Sequence, residues 1–313
     1  MSHSFLNQKH IKQSYLITGG TGFVGQSLIQ ALIKDGHQVT LLTRDSMKAE
    51  KLFGQKVRFV SSFEQIDKND IFDIVINLAG ARIIGWRWTT KRKKILLDSR
   101  QNLTQKLVAW IGNLNHKPKL MLNASAIGYY GIQDQNDSSF LTEEAKGQNI
   151  FMSYLCQAWE ETAKAVQQYG VPVVMMRFGF ILGHQGALPP LLLQTKLGGA
   201  SRLGSGKQVM SWIHIDDVVG IMAWLIRAQN QQGVQVFNFV APKPVTQDDF
   251  RKICAKLLHR PTFLWVSKAI MNLLLGEQAG LLVEGQRVSA QKLVDAGYEF
   301  QFTDLSKAIE NLI

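Results

Sequence analysis

A glycine-rich loop, TGGTGFVG at residues 18–25, lies between a short apolar run and a run with helical spacing. Gly19, Gly22 and Gly25 meet three needs of a dinucleotide-binding turn: a tight bend, close approach of the backbone to a pyrophosphate, and packing of helix on strand. The first N–H groups of the helix would then face the phosphates. A second apolar run at residues 39–42 supplies the context that makes the glycine pattern specific. The loop predicts cofactor contacts from Gly19, Gly20, Thr21, Gly22, Phe23, Val24 and Gly25.

Short apolar runs alternate with longer amphipathic runs through the first 180 residues, which indicates a parallel sheet with crossover helices. Runs that are apolar throughout, such as residues 74–76, are typical of strands covered on both faces. We predict an α/β fold, a Rossmann-type parallel sheet with helices on both faces plus a smaller C-terminal substrate lobe. Predicted strands are 15–18, 39–42, 57–60, 73–78, 120–124, 171–176 and about 234–240, with helices from Phe23 towards Gly36, at about 89–111 and at 150–169.

The domain organisation follows from where this alternation ends. Residues 1–13 are predicted to be a polar tail, and residues 14–180 a dinucleotide-binding Rossmann domain that the strand near 234–240 rejoins. After residue 180 glycine and proline punctuate the pattern. Residues 181–233 and 241–313 are therefore predicted to form the substrate lobe and connecting elements.

Composition excludes several classes of protein. The 313 residues are 46% hydrophobic and 19% charged, as in folded globular chains. The net charge of +11 is scattered, and the densest run, Lys91-Arg92-Lys93-Lys94, predicts a solvated helix face rather than a polyanion site. Without a basic–aromatic platform, nucleic-acid binding is not expected. Cys156 and Cys254 provide neither a disulfide framework nor a zinc spacing, so we expect no metal and a reducing compartment.

Targeting signals are not evident in the sequence. No run approaches the roughly 18–20 apolar residues of a membrane span, and residues 1–13 lack the apolar core of a signal peptide. We therefore expect a cytoplasmic protein without membrane association.

The end of the second predicted strand bears on the choice of cofactor. An acidic residue there would bind the ribose 2′-hydroxyl of NAD, whereas this sequence has Thr43 followed by Arg44. A guanidinium pairs well with the 2′-phosphate of NADP. The sequence therefore predicts NADP over NAD. Asp45 is the competing observation, because a shifted register would bring its carboxylate near the ribose.

Four motifs carry a family resemblance over nearly the whole chain. Together with the glycine loop, Asn77-Leu78-Ala79-Gly80, the turn from Ser125 to Gly131 (SAIGYYG) and the run from Ser211 to Asp217 (SWIHIDD) resemble the extended, epimerase-like branch of the short-chain dehydrogenase/reductase superfamily. The chain also resembles an atypical subgroup often called "epimerase family protein". The shared features are Gly85-Trp86-Arg87-Trp88-Thr89, Ser99-Arg100, the Tyr-Tyr-Gly turn and Trp159-Glu160.

The resemblance implies positions around the cofactor. Ala79 and Gly80 would pass under its adenosine–ribose side, while Phe178 and Gly179 would lie near the nicotinamide. It also implies a homodimer formed through helices that flank the sheet.

The superfamily's serine, tyrosine and lysine are only partly matched. Ser125 matches the serine. The tyrosine–lysine pair, which is spaced i, i+4 on one helix face, is missing in both registers. Alignment on Trp159-Glu160 places Met152 and Cys156 there, while the shifted register places Tyr154 and Ala158 there.

Other residues are candidates for the missing roles. Tyr129 or Tyr130 could supply the proton, although one could pack in the core and the other lie at the surface. His214 is expected to be structural, joining the second lobe to the first, and Cys156 is expected to be a buried hydrophobe.

Three groups are candidates for substrate contact. Arg100 could bind an anionic substrate or form a salt bridge with Asp98 or Glu160. Trp86 and Trp88 could line a substrate cleft or cover the sheet edge. Arg202, with Lys207, could contact phosphates or lie in a solvated loop.

Two functions remain open from the sequence. The first is an NADP-dependent oxidoreductase or epimerase acting on a small or nucleotide-linked substrate. The second is a non-catalytic NADP-binding protein, a redox sensor or interaction protein, in which loss of the tyrosine–lysine pair reflects loss of chemistry.

Overall fold

The computed structural model describes residues 12–85, 87–228 and 231–313. Most of the predicted polar tail and Trp86 lie outside these residues. The strands are β1 Ser14–Thr18, β2 Gln38–Leu42, β3 Arg58–Val60, β4 Ile74–Asn77, β5 Leu120–Ala126, β6 Val173–Phe178, β7 Phe180–Leu182, β8 Ser201–Leu203, β9 Val209–Met210, β10 Trp212–His214, β11 Val234–Phe239, β12 Val245–Thr246 and β13 Leu264–Val266. The helices are α1 Phe23–Lys34, α2 Ser46–Phe53, α3 Thr90–Asn113, α4 Phe151–Lys164, α5 Leu188–Lys196, α6 Ile215–Arg227, α7 Gln247–Leu257, α8 Lys268–Leu275, α9 Gly280–Val283, α10 Gln291–Asp295 and α11 Leu305–Glu310.

A seven-stranded parallel sheet in the order β11-β6-β5-β4-β1-β2-β3 forms the centre of the described chain. The predicted Rossmann-type fold is confirmed. Successive strands run outward from β1 to β3 on one side and from β4 to β6 on the other. The order therefore reverses between β1 and β4, and the carboxyl ends of strands at such a reversal form the usual ligand crevice.

The two faces of the sheet are buried by different helices. Alternate residues of β1 point to opposite faces, so that Ile17 packs in the core with α1, α2 and α6, while Leu16 packs in the core with α3 and α4. Because both faces are covered, the central strands are buried throughout, as β4 shows with four buried residues.

Three short strand pairs extend the molecule beyond the sheet: β7 with β10, β8 with β13, and β9 with β12. Helices α5, α7 and α11 pack with β7 and β10 around the fully buried Trp212. Although α6 falls within residues 181–233, it packs on the sheet with α1. The second lobe thus lies in sequence segments interleaved with elements of the first.

The predicted helices differ from the observed ones mainly at their ends. Residues predicted as one helix at 150–169 form α4 and then a 3-10 turn, Ala165–Tyr169, which ends at Gly170 with φ +75°. Gly36 has φ +76° just after α1, the left-handed conformation expected of a glycine that ends a helix. Within the described ranges, no helix is long and apolar enough to cross a membrane.

Candidate functional site

The glycine loop folds too tightly to accommodate side chains. Gly19 has φ +71°, and a Cβ there would lie 2.6 Å from the carbonyl carbon of Leu78. A Cβ on Gly25 would lie 2.5 Å from Gly20 Cα. Gly22 precedes α1 and supplies no capping side chain, so the first-turn N–H groups of α1 face the crevice without a side-chain cap. This backbone cradle fits a pyrophosphate.

The remaining loop residues hold the start of α1 in place. Phe23 packs against the segment after β7, where a Cβ on Gly183 would lie 2.4 Å from its ring. The Thr21 carbonyl oxygen accepts a hydrogen bond from Gln26 Nε2 at 2.8 Å, and Val24 packs against the core below. Thr21, Phe23 and Val24 therefore contribute shape and backbone groups to the cradle.

Arg44 has an exposed side chain that can bind a ligand, whereas the side chain of Asp45 is hydrogen-bonded within the protein. Arg44 is exposed after β2 and forms no ion pair with any residue that the structure describes. Asp45 instead caps α2, where its Oδ1 accepts a hydrogen bond from the Lys48 N–H at 2.9 Å. The carboxylate that competed with Arg44 in the sequence is thus engaged by the protein.

A buried polar network lies beneath the crevice. Thr18 Oγ1 donates to Asn77 Oδ1 at 2.6 Å, and Asn77 Nδ2 donates to Thr104 Oγ1 at 2.9 Å and Asn123 Oδ1 at 2.6 Å. Trp159 Nε1 donates to the same Thr104 hydroxyl. The sequence did not predict this network. Its signal was a polar residue within or at the end of each of three otherwise apolar strands, because buried polar groups require partners.

Arg100 is a buried cation beside Gly80. Its guanidinium donates to the carbonyl oxygens of Ala81 at 3.2 Å and Leu96 at 3.1 Å. A Cβ on Gly80 would lie only 3.0 Å from Arg100 Cζ. The pKa of Arg100 is lowered from 12.5 to about 10, mainly by burial and to a smaller extent by nearby Arg92.

The predicted salt bridge of Arg100 is wrong. Asp98 pairs with Lys94 at 2.9 Å, and Glu160 pairs with Arg177 at 2.9 Å. Since Arg100 is only 6% exposed and no described carboxylate neutralises it, its charge favours an anion or an electron-rich oxygen entering the crevice.

Ser125 belongs to a buried cluster on β5, α4 and β6. Its hydroxyl donates to Glu160 Oε1 at 2.6 Å, and Arg177 donates from Nε and Nη2 to the two carboxylate oxygens, each at 2.9 Å. Burial alone would lower the pKa of Arg177, but the ion pair with Glu160 outweighs it and holds the pKa above its ordinary value. Sequence analysis missed this ion pair. Its signal was one arginine in the otherwise apolar β6.

The two tyrosines after β5 have different surroundings. The Tyr130 hydroxyl donates to Asn238 Oδ1 at 2.6 Å and accepts from Arg177 Nη1 at 3.0 Å. Burial raises the pKa of Tyr130 to about 12. Tyr129 is half-buried, with Arg177 Cζ 3.4 Å from the centre of its ring, and its hydroxyl has no partner among the described residues. Of the two, Tyr129 has the available hydroxyl.

The helix α4 presents Met152 and Cys156 towards the site. A Cβ on Gly128 would lie 2.5 Å from Met152 Cε. Cys156 is buried, and burial, followed by the charge of Glu160, raises the pKa of its thiol to about 12. Tyr154 lies on the outer side of α4 and is 55% exposed. Met152 and Cys156 therefore occupy the inward-facing positions at which the superfamily has its tyrosine and lysine.

Phe178 and Gly179 end β6 beside the second lobe. The Phe178 ring contacts Phe239 edge to face, with centroids 5.2 Å apart, and a Cβ on Gly179 would lie 2.4 Å from the Ser211 carbonyl oxygen. Ala79 follows the reversal point after β4. These residues follow or end β4 and β6, the strands on either side of β5, which carries Ser125.

The run after β9 anchors the C-terminal segment. His214 is buried, accepts at Nδ1 from the Asp216 N–H at 3.1 Å, and lies 3.9 Å from the Phe302 ring centre. Asp217 accepts hydrogen bonds from the Gln301 and Phe302 N–H groups at 2.8 and 3.0 Å. The contacts of His214 are the structural ones that the sequence predicts.

The remaining candidates lie in the segment before α3, on α3 and in the second lobe. Trp88 is buried against Phe151, with its Nε1 donating to the Ile83 carbonyl oxygen at 3.1 Å. Arg202 and Lys207 are exposed. Of the basic run on α3, Lys94 pairs with Asp98 on the same helix, whereas the half-buried Lys93 pairs with Glu277 of the second lobe, so the run is not wholly the solvated face that the sequence predicts. In the described part of the chain, no cluster of three or more His, Cys, Asp or Glu side chains could hold a metal.

The reversed parallel sheet, the glycine cradle and a second lobe over the carboxyl ends together define an extended short-chain dehydrogenase/reductase. The chain belongs to the NAD dependent epimerase/dehydratase family, whose model matches residues 15–239. A domain of unknown function, DUF1731, matches residues 266–312. The family resemblance predicted from the motifs is thus confirmed.

Individual relatives support the same assignment. The epimerase family protein YfhF of Bacillus subtilis (strain 168) is 35% identical over 298 residues, covering 95% of this chain and 97% of that protein. The structure of human epimerase family protein SDR39U1 (isoform 2) with NADPH is similar at a TM-score of 0.83 and 30% identity, covering 96% and 98% of the two chains. A nucleoside-diphosphate sugar epimerase from Corynebacterium glutamicum is similar at a TM-score of 0.74 and 27% identity, covering 96% of this chain and 57% of that one.

Proposed function

We propose that this protein is an NADP-dependent oxidoreductase with an atypical active site. The observation that carries the proposal is the backbone cradle at residues 19–25, in which side chains on Gly19, Gly20 or Gly25 would clash with neighbouring atoms. Arg44, which is exposed and forms no ion pair with a described residue, supports NADP over NAD. The human relative with NADPH supports the same choice.

The residues present fit the cofactor along the whole crevice. The cradle would hold the pyrophosphate, and Arg44 would pair with the 2′-phosphate. Gly80 would lie under the adenosine–ribose side, and Gly179 near the nicotinamide. Bound there, the cofactor supplies a hydride to a substrate carbonyl carbon, or accepts one from the corresponding alcohol.

The protein's own groups would manage the substrate oxygen. The Ser125 hydroxyl donates a hydrogen bond to Glu160. The lone pairs of the Ser125 oxygen therefore remain to accept a hydrogen bond from a substrate hydroxyl. Tyr129 has the available hydroxyl and would donate the proton to the oxygen when a carbonyl is reduced. Arg100, whose charge acts on Cys156 at the usual lysine position, would stabilise negative charge developing on that oxygen.

A non-catalytic NADP sensor is the second candidate. The specific observation that favours it is the presence of Met152 and Cys156 at the positions of the tyrosine–lysine pair, because neither side chain can replace the tyrosine or the lysine chemically. Turnover therefore decides between the two functions, and cofactor binding does not.

Cofactor choice is tested by titrating NADPH and NADH against wild type and Arg44→Ala. The lost charge-assisted contact is worth about 1.5–3 kcal/mol, so NADPH should bind roughly 10- to 150-fold more weakly to the variant, with NADH unchanged. Lys48→Ala, which removes an exposed cation from neighbouring α2, is the matched control and should bind NADPH as wild type does. Equal affinity of wild type for the two cofactors would contradict the proposal.

Chemistry is tested by following NADPH absorbance with a panel of carbonyl compounds and nucleotide sugars. Ser125→Ala and Arg100→Met should each lose turnover while binding NADPH as wild type does. NADPH that binds to wild type but stays unreacted with every compound would support the sensor. Full turnover by Ser125→Ala would overturn the role given to Ser125.

A further inference from the structure

A cavity of about 170 Å³ lies between the sheet and the second lobe. Its wall includes Ile127, which follows β5, and Phe180, the first residue of β7. Ser211, whose carbonyl oxygen closely approaches Gly179, forms a third part of the wall. The cavity therefore adjoins the two strand ends that carry Ser125 and Gly179.

Apolar side chains make up much of the opposite wall. Leu191 comes from α5, Leu203 from β8 and Met210 from β9, while Phe250 and Cys254 come from α7. Four different elements thus contribute apolar side chains to the lining of the cavity. Such a wall binds a ligand by removing its apolar surface from water.

Apart from Gln194, whose side chain is exposed, the neutral polar side chains of the wall are engaged by the protein. Thr195 Oγ1 donates to the Leu191 carbonyl oxygen at 2.9 Å, and Ser211 Oγ donates to that of Gln286 at 2.8 Å. Gln247 Nε2 donates to a backbone carbonyl oxygen of β8 at 3.2 Å, and its Oε1 accepts from a β8 N–H. These groups stabilise the wall and leave few donors for a ligand.

The charges of the wall are also matched. Arg251 donates to Asp248 Oδ1, at 2.5 Å from Nη2, and to the Thr262 carbonyl oxygen. Glu284 pairs with Lys268. A diphosphate would require uncommitted cations, because two phosphate charges leaving water are costly without them. Glu284, the carboxylate among the described residues of this wall, adds no attraction for a diphosphate.

The cavity volume sets the size of the occupant. A dry apolar cavity of about 150 Å³ accepts benzene, whereas sites for larger ligands measure roughly 300–1,000 Å³. About 170 Å³ therefore suits one aromatic ring or a short aliphatic chain.

We infer that this cavity holds a neutral apolar group of the substrate, attached to the carbon that exchanges hydride, and that it does not hold a nucleoside diphosphate. The inference rests on the proposed function for the role of substrate. The preference of the cavity for a neutral apolar ligand is measurable on its own, without cofactor.

The test is a fluorine NMR titration of the full chain with 4-fluorobenzyl alcohol, a neutral ring that carries a carbinol. We expect saturable binding that UDP, added in excess, does not displace. Leu191→Trp fills the cavity and should weaken binding at least about tenfold. Leu193→Trp, on the exposed side of the same helix, is the matched control and should bind the probe as wild type does.

A second variant protects the test against misfolding. Ala200→Leu fills the same cavity from the residue just before β8. It should also weaken binding, and it replaces Leu191→Trp in the test if the latter does not unfold cooperatively and is therefore misfolded. Displacement of the probe by UDP, absence of saturable binding, or wild-type affinity in both filled variants would overturn the inference. Probe binding together with failure of NADPH to bind would overturn the proposed function and leave the cavity assignment standing.

Discussion

Arg177 joins three parts of the candidate site through one guanidinium. It pairs with Glu160 on α4, contacts the Tyr130 hydroxyl, and donates to the Glu143 carbonyl oxygen at 3.1 Å. Ser125 is bonded to the same carboxylate. The position of the Ser125 hydroxyl therefore depends on an ion pair that lies entirely within the protein.

Glu160→Gln is predicted to be strongly destabilising, because it leaves Arg177 buried without its counter-charge. The loss in free energy of unfolding should be about 3–5 kcal/mol, measured by urea denaturation. The double variant Glu160→Gln/Arg177→Met removes both charges and should be more stable than the single variant. A cost below about 1 kcal/mol for Glu160→Gln would contradict this account of the pair.

At the scale of elements, the turn from β1 into α1 places a steric demand at Gly25. A Cβ there would meet backbone atoms of Gly19 and Gly20, so Gly25→Ala must displace the cradle. We predict at least about tenfold weaker NADPH binding and a stability loss of about 1–3 kcal/mol. Fluorescence titration and thermal unfolding measure the two effects.

Gly36→Ala, at the other end of α1, is the control for Gly25→Ala. Nothing lies within 4 Å of a Cβ on Gly36, but its φ is +76°. The variant should lose about 1–2 kcal/mol through backbone strain and bind NADPH as wild type does. A similar loss of affinity in both variants would show that cradle geometry is not the cause.

The strands and the glycine loop were predictable because their requirements are local. Apolar runs and spaced glycines identify β1, β4 and the start of α1 without knowledge of distant residues. The partners of Arg100 were not predictable, because they depend on which charges meet in space. Asp98 forms an ion pair with Lys94 on the same helix, and Glu160 forms one with Arg177 on β6.

At the scale of the molecule, several buried acids make stability fall in alkaline solution. In the folded chain, burial raises the pKa values of Cys156 and Cys254 from 9.0 to about 12. Burial also raises the pKa of Tyr130 from 10.0 to about 12. Below about pH 8 these groups are almost wholly neutral in both states, so their contribution is complete. As pH rises through 9 and 10 the unfolded chain loses these protons first, and the free energy of unfolding falls.

Cys156→Ala should therefore flatten this decline. One group contributes at most about 1.4 kcal/mol per pH unit, and the slope between pH 9 and 10 should decrease by up to that amount. Urea denaturation in the presence of reductant gives the slope. Met152→Leu changes a non-titrating residue on the same helix and should keep the wild-type slope, whereas an unchanged slope in Cys156→Ala would contradict the prediction.

The edge strand β11 has a consequence for how the chain folds during synthesis. Val234–Phe239 completes the sheet beside β6, and α6 covers one face of the sheet with α1, yet both follow β7 to β10 in sequence. A nascent chain that has emerged only to residue 180 exposes the unpaired edge of β6 and part of an uncovered face. The nucleotide-binding half therefore cannot finish folding as an independent N-terminal fragment, and it is exposed to aggregation until the ribosome has released the segment beyond residue 239.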